Sequence, residues 1–349
     1  ELLEKERPKF GGFALQTEDE ISAIASCVGA SYAGAKVLTA TSGPGLSLMT
    51  EIMGLAAMTE TPLVVVNVQR GGPSTGLPTK TEQSDLNLTV FGGHGDAPRL
   101  VLAPADVEDC FYTTLDAFNL AERYQMPVIL MSDYSLATRT QTIPRPDFAA
   151  VKPESRVIPG PAELKGYLRY RLTPNGVSPM ALPGMPGGQY TATGLEHNEA
   201  GAPHMTPDTH RKMTEKRFLK VSEAAKEPGF TRRFGALDAT VGVVCWGSTT
   251  GPVREAIGWA LERKLPVAAL QVRMLNPIPL EVRAFLDAMH TILVPEVNYQ
   301  GQFAGLLRAR FLKPVVQLNK YEGLPFSSKD ILDKIVELCE LPVPAGRTR

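Results

Sequence analysis

Two blocks of short apolar runs alternating with amphipathic stretches, parted by a long segment crowded with Pro and Gly, constrain this 349-residue chain more than any other feature. In the first block Val37 to Ala40, Leu63 to Val68, Leu100 to Ala103 and Val128 to Met131 read as strands, with helices over Glu18 to Ala33, Leu46 to Met58 and Asp106 to Tyr124. Asp106 is placed to cap its helix, with Asp109 three residues on. In the second block Val241 to Cys245, Val267 to Leu270, Ile292 to Val294 and Val315 to Leu318 read as strands. Helices are expected near Pro252 to Arg263, Leu280 to Met289, Phe303 to Phe311 and Lys329 to Leu338. Unbroken apolar strands separated by helices are the signature of a parallel sheet covered on both faces. The pattern predicts an α/β protein of two doubly wound parallel-sheet domains, residues 1–136 and 236–349.

Residues 137–235 are expected to form an irregular connecting segment, where Pro144, Pro146, Pro153, Pro159, Pro183 and Gly187 are among the residues that break any period. So long an irregular path in a folded chain is usually functional or wraps a partner. Disorder is the alternative, and the apolar anchors Tyr167, Leu168, Tyr170, Tyr190 and Met205 argue for a folded course.

Composition removes several classes of function. With 36 basic and 37 acidic side chains and no run of Lys or Arg, nothing suggests a nucleic-acid partner. No apolar stretch is long enough to cross a bilayer. The leading residues, Glu1 to Arg7, are charged rather than a signal peptide, so a cytoplasmic location is expected. Cys27, Cys110, Cys245 and Cys339 lie too far apart for a local zinc or iron–sulfur signature. No metal site is expected on this chain, and any electron-transfer cluster belongs on another polypeptide.

The candidate chemistry lies in the first block. Glu20 stands 22 residues before Ser42, which opens the loop Ser42-Gly43-Pro44-Gly45 between an apolar strand and an apolar helix. Glu18 and Asp19 read as solvated helix-start acids, favoured there by the helix dipole. Below Glu20, however, Ala23, Cys27, Ala30 and Gly34 make a thin small-residue face, so Glu20 is expected to top a closely packed helix and to be partly desolvated. A phosphate site at the glycine loop fits poorly. No Lys-Ser/Thr follows it, and there is no G-x-G-x-x-G. Gly43 and Gly45 are taken instead to permit close approach of a ring or of a neighbouring subunit.

The spacing from Glu20 to Thr41-Ser42-Gly43-Pro44-Gly45, then Pro62 to Val66, resembles the pyrimidine-binding domain of thiamine diphosphate enzymes. The run Val68-Gln69-Arg70-Gly71-Gly72-Pro73-Ser74-Thr75-Gly76-Leu77-Pro78-Thr79-Lys80-Thr81-Glu82-Gln83-Ser84-Asp85-Leu86 is more specific. It resembles the α subunit of 2-oxoacid:ferredoxin oxidoreductases, most closely the 2-oxoglutarate type. Gly92 to Gly95, Leu102 to Pro104, Phe118 to Glu122, Pro186 to Gly194 and Trp246 to Ser248 extend the likeness over nearly the whole chain.

The resemblance implies a pyrimidine-binding domain followed by a transketolase C-terminal-like domain. It further implies thiamine diphosphate shared with a β subunit, which holds the diphosphate, Mg²⁺ and a [4Fe-4S] cluster. Coenzyme A is the implied co-substrate and ferredoxin the electron acceptor, in an (αβ)2 assembly. The glutamate matching Glu20 would contact the aminopyrimidine, where an acid favours the tautomer that activates the cofactor. Ser42, Gly43 and Gly45 would line the same ring. Arg70 and Thr75 would lie at the 2-oxoacid carboxylate, a role that a bidentate guanidinium suits; a surface loop arginine is the plainer reading. Thr79 and Lys80 are candidates for the distal carboxylate of 2-oxoglutarate, or Lys80 is a solvated loop charge. The family's Pro-Ile-Thr-Pro loop is not among these residues, and a first strand with that loop is expected upstream of Glu1.

Other residues invite weaker readings. His94, between glycines, is a substrate or interface group or a turn residue. His197, His204 and His210 with Glu196, Glu199 and Asp208 match no compact zinc pattern. Gly247 to Gly251 before Pro252 reads as a helix start rather than a second phosphate loop. The activity expected is oxidative decarboxylation of 2-oxoglutarate to succinyl-CoA with ferredoxin reduction, or the reverse. The alternatives are the same chemistry on pyruvate or branched-chain 2-oxoacids, or a non-catalytic scaffold subunit. A non-redox thiamine enzyme would need a Gly-Asp-Gly…Asn diphosphate motif, and none is present.

Overall fold

The computed structural model describes residues 2–149 and 151–340. The first block runs α1 (Leu2–Glu6), α2 (Glu20–Tyr32), β1 (Leu38–Thr41), α3 (Gly43–Met58), β2 (Leu63–Gln69), α4 (Leu86–Phe91), β3 (Leu100–Leu102), α5 (Val107–Tyr124), β4 (Pro127–Asp133) and α6 (Tyr134–Ala137). Local chemistry sets the ends. Asp19 caps α2 by accepting from the Ser22 amide at 2.7 Å, and Asp106 caps α5 by accepting from the Asp109 amide at 2.9 Å. Every residue of β4 is buried, as a central parallel strand requires.

The chain continues through α7 (Pro207–Ala224), β5 (Thr231–Gly235), β6 (Val241–Cys245), α8 (Thr250–Glu262), β7 (Val267–Val272), β8 (Met274–Asn276), α9 (Glu281–Ala288), β9 (Thr291–Glu296), α10 (Gln302–Phe311), β10 (Val316–Asn319) and α11 (Ser328–Glu340). Two five-stranded sheets result, ordered β1-β2-β4-β3-β8 and β10-β9-β6-β7-β5. In each, four strands are parallel, as the apolar runs predict, and the fifth is an antiparallel edge that the pattern does not reveal. One of these edges is β8, which leaves the second block to pair with β3 of the first sheet. One hydrophobic core runs through both sheets, from Ile24, Leu46 and Ile129 to Trp246 and Phe303.

The segment between the blocks is ordered differently from expectation. It contains α7, an 18-residue helix capped by the Thr206 hydroxyl. Of the expected anchors Tyr170 is fully buried and Tyr167 and Tyr190 are half-buried, but Leu168 and Met205 are exposed. Ion pairs do the anchoring instead. Arg156 is 4% exposed and forks onto Glu122 at 2.6 and 2.9 Å, while also donating to the Ser31 and Ala35 carbonyls. Deeper still, Glu60 takes Lys216 at 2.6 Å and Lys220 at 2.8 Å, all three carboxylate and ammonium groups being at most 1% exposed. Arg169, also buried, donates to the Glu60 carbonyl at 2.8 Å. Burial alone would raise the Glu60 carboxyl, but the cations of Lys216, Lys220 and Arg169 hold it below the usual carboxylate range.

Candidate functional site

The carboxyl ends of β1 and β2 are where an open α/β sheet presents its ligands. At the end of β1, Thr41 leads into Ser42, whose extended backbone starts α3. Glu20, the first residue of α2, is half-buried, with Ile24 one turn below it in the core. A Cβ placed on Gly45 would meet Glu20 Cγ at 2.7 Å and Oε1 at 2.8 Å and would collide with the Thr41 hydroxyl. On Gly43 a Cβ would meet Asp85 Oδ2 at 2.9 Å and Oδ1 at 3.0 Å. Both glycines therefore make room for carboxyl groups of this same chain. These contacts stand beside the expected approach of a ring or a neighbouring subunit.

Sequence reasoning quoted Asp85 only as part of a motif. The structure makes it a member of the site. It stands at the N-cap of α4 without capping that helix, and its carboxylate turns to the glycine loop. Asn67 of β2 donates to Asp85 Oδ2 at 3.0 Å, and Gln69 Oε1 accepts from the Asp85 amide at 3.1 Å. Burial raises the Asp85 carboxyl above its ordinary range and Glu82 adds to the effect, against the Asn67 hydrogen bond and the pull of Arg70. Two polar atoms here are buried without a partner among the described residues, Arg70 Nε and Asn67 Oδ1. Such an orphan costs about 1–3 kcal/mol, an arrangement suited to a group that receives a ligand.

The second sheet fixes this segment from the far side. Gln83 is fully buried; its side chain donates to the Trp246 carbonyl at 3.0 Å and accepts from the Val297 amide at 3.1 Å. Its own amide donates to the Val297 carbonyl at 2.7 Å. Gln302, at the start of α10, accepts from the Asn87 amide at 2.8 Å and donates to the Ser84 carbonyl at 2.7 Å. Gly247 adopts φ +59°, and a side chain there would strike the Gln83 amide at 2.7 Å. Gly247 to Gly251 is thus a turn and helix start, one purpose of which is to admit Gln83.

The remaining candidates fall elsewhere. Thr75, Thr79 and Lys80 ride an exposed loop closed by the bonds Gly71 N–H to Lys80 O and Leu77 N–H to Gly71 O. None of the three side chains bonds to Glu20 or Arg70 among the described residues, and Lys80 rests its stem against Gly323. His94 is exposed. His197 is buried, stacked on Tyr170 at 3.9 Å, with its ring nitrogens 3.1 Å from the Met58 and Asn198 carbonyls, while His210 pairs with Glu196. Those histidines are structural. No group of three or more His, Cys, Asp or Glu is arranged to hold a metal among the described residues. Burial pushes the Cys110 and Cys245 thiols up to about 12, so neither is a nucleophile at neutral pH.

Residues 1–216 match the family model "Pyruvate flavodoxin/ferredoxin oxidoreductase, thiamine diP-bdg". The 2-oxoglutarate oxidoreductase subunit KorA of Mycobacterium tuberculosis is 40% identical over 324 residues, covering 92% of this chain and 49% of that protein. The 2-oxoglutarate synthase subunit KorA of Methanothermobacter thermautotrophicus is 36% identical over 334 residues, covering 95% of this chain and 88% of its own length. The 2-oxoglutarate:ferredoxin oxidoreductase of Magnetococcus marinus, solved with 2-oxoglutarate, coenzyme A and succinyl-CoA bound, is 47% identical with a TM-score of 0.94. That likeness covers 96% of this chain and 59% of the other. The chain thus spans about half the length of several curated relatives that it matches. On the family model, the extent of these identities and the shared pair of sheets, the chain belongs to the pyruvate flavodoxin/ferredoxin oxidoreductase family, among its 2-oxoacid:ferredoxin oxidoreductase α subunits.

Proposed function

We propose that this chain is the α component of a thiamine-diphosphate-dependent 2-oxoglutarate:ferredoxin oxidoreductase. The net reaction converts 2-oxoglutarate and coenzyme A to succinyl-CoA and carbon dioxide, and two electrons pass singly to ferredoxin; the reverse carboxylation uses the same site. The observation that carries the reading is the Glu20 carboxylate lying on Gly45, with Arg70, whose buried Nε has no partner among the described residues, just past the end of the neighbouring strand. These residues fit the aminopyrimidine half of thiamine diphosphate, since an acid borders the glycine loop and polar valences remain open beside it. When bound, that cofactor supplies the nucleophilic carbon for the 2-oxoacid.

The side chains of this chain do the rest of the α subunit's work. Glu20 holds a proton at the ring nitrogen, Ser42, Gly43 and Gly45 border the ring, and Arg70 and Thr75 bind the carboxylate next to the keto carbon. Thr79 and Lys80, on their solvent-facing loop, take the distal carboxylate when the loop meets substrate. The β subunit contributes the diphosphate site, Mg²⁺ and a [4Fe-4S] cluster, in an (αβ)2 assembly that a soluble ferredoxin visits in the cytoplasm. No described helix is long and apolar enough to cross a membrane.

Ferredoxin reduction by the purified αβ complex, assayed on 2-oxoglutarate, pyruvate and branched-chain 2-oxoacids, tests the proposal. The expected result is preference for 2-oxoglutarate and loss of turnover in Glu20→Gln. Retained turnover in that variant would instead make the chain a scaffold, and preference for pyruvate would move the substrate.

A further inference from the structure

Five lysines and arginines are buried among the described residues of the connecting segment, and four of them have a carboxylate. Arg156 has Glu122, Lys216 and Lys220 share Glu60, and Arg217 forks onto Glu196 at 2.9 and 3.1 Å. The fifth, Arg169, has no exposed surface and no ion pair among the described residues. The Glu60 carboxylate is spent on the two lysines. Arg169 reaches only main-chain oxygens, through Nη2 to the Glu60 carbonyl at 2.8 Å and the Thr59 carbonyl at 3.4 Å, while its Nε and Nη1 are buried without a partner. Two more orphans stand beside it. The Tyr170 and Tyr190 hydroxyls are also buried and unbonded among the described residues. Arg169 Cζ lies 5.0 Å from the centre of the Tyr170 ring and 6.0 Å from that of Tyr190, and the two rings are 6.1 Å apart at 85°.

We infer that Arg169, Tyr170 and Tyr190 enclose a binding site for a small inorganic anion of halide size, which neutralises the guanidinium and ties the connecting segment to the end of α3. The donors decide the class of ligand. A guanidinium has N–H groups and no acceptor, so whatever fills its open valences must accept. Burial pushes both tyrosine hydroxyls up from their usual range, so each keeps a proton to give. The neighbouring side chains offer no acceptor in its place. Tyr167 spends its hydroxyl on the Pro179 carbonyl and the Ala181 amide, and His197, stacked on Tyr170, has its ring nitrogens on the Met58 and Asn198 carbonyls. The face of the Tyr170 ring attracts the cation but gives its N–H groups no lone pair. A buried water would satisfy the hydrogen bonds and leave the charge, whereas a monovalent anion answers both. Since Arg169 and Tyr170 have no exposed surface, the enclosure favours a single-atom ion over sulfate or phosphate. The site stands on the connecting segment and does not depend on the proposed reaction.

Crystals of the αβ complex grown in bromide, with anomalous data collected at the bromine edge, test the site directly. The expected result is a peak among Arg169, Tyr170 and Tyr190 that Arg169→Met abolishes. Thermal unfolding of the same complex tests it in solution. Replacing gluconate by chloride from about 1 to about 100 mM at fixed ionic strength should raise the melting temperature by about 3 °C, for an ion with a dissociation constant of about 1 mM. Tyr170→Phe and Tyr190→Phe keep the rings and the cation and remove one donor each, so each should cut that rise by half or more. An absent bromide peak, a water refined in its place, or a chloride response that the variants leave unchanged would overturn the assignment. A bromide peak without any chloride effect on unfolding means binding at crystal concentration only, and overturns it too. If Arg169→Met fails to fold, the two phenylalanine variants decide the matter, and a full chloride response in both counts against the site.

Discussion

Replacing Glu60 by Gln should cost more stability than any surface change in this chain, and the size of the loss follows from what the carboxylate holds. Its two oxygens take Lys216 at 2.6 and 2.7 Å and Lys220 at 2.8 Å, with neither lysine more than 1% exposed at the side chain. Arg169 stands beside them, fully buried, with Nε and one terminal nitrogen unpartnered among the described residues. Glutamine keeps the shape and one acceptor but leaves this cationic cluster without a counter-charge. Removing one partner of a buried ion pair costs about 3–5 kcal/mol. In a chain of 349 residues that corresponds to roughly 4–7 °C in melting temperature.

The pH dependence sharpens the test. Burial lowers Lys220 to about 7, partly offset by Glu60, whereas an unfolded lysine keeps its proton to about 10.4. Between those values the unfolded state binds more protons than the folded one, so this group adds stability as pH rises. Below about 7 both states hold the proton and the contribution is flat. The deficit of Glu60→Gln should therefore narrow as pH rises through about 7 and level off above it, where Lys220 folds uncharged in both proteins. Thermal unfolding followed by circular dichroism reads both effects. A drop below 2 °C, the same at every pH, would refute the account of Glu60 as the hub of the connecting segment.

Two further outcomes are expected. Gly45→Ala should abolish turnover of the αβ complex while lowering the melting temperature only slightly, because the added methyl displaces Glu20 and Thr41 at the site's edge; full activity in that variant would show that Glu20 need not lie on the loop. Lys80→Ala should raise KM for 2-oxoglutarate several-fold more than for pyruvate, and equal changes on both substrates in a steady-state comparison would remove Lys80 from specificity.

Much of the fold can be read from residue order because buried parallel strands are continuous apolar runs. Pro127–Asp133 and Val241–Cys245 announce themselves in this way, and Asp106 marks its helix by its capping chemistry. What escapes has a physical reason in each case. Strand β8 is three residues long and exists only because β3 offers an edge to pair with, while β5 carries Arg232 and Arg233 at an exposed edge. Helix α7 hides best. Its inward side includes Lys216, Arg217 and Lys220, charged residues buried against Glu60 and Glu196, so no apolar period betrays it. The site is similar in kind. Glu20 and Gly45 are legible as a pair, whereas Asp85 comes to Gly43 across 42 residues through a contact that spacing does not encode.

The crossing of β8 into the first sheet bears on how the molecule can work and how it can be cut. A hinge between the halves would have to peel Met274–Asn276 away from β3 and break the Gln83 contacts as well, so the two sheets are tied against swinging apart. A fragment truncated before residue 274 would leave β3 with bare amides and carbonyls along its rim. It would tend to recruit strands from other molecules rather than stand as an independent module.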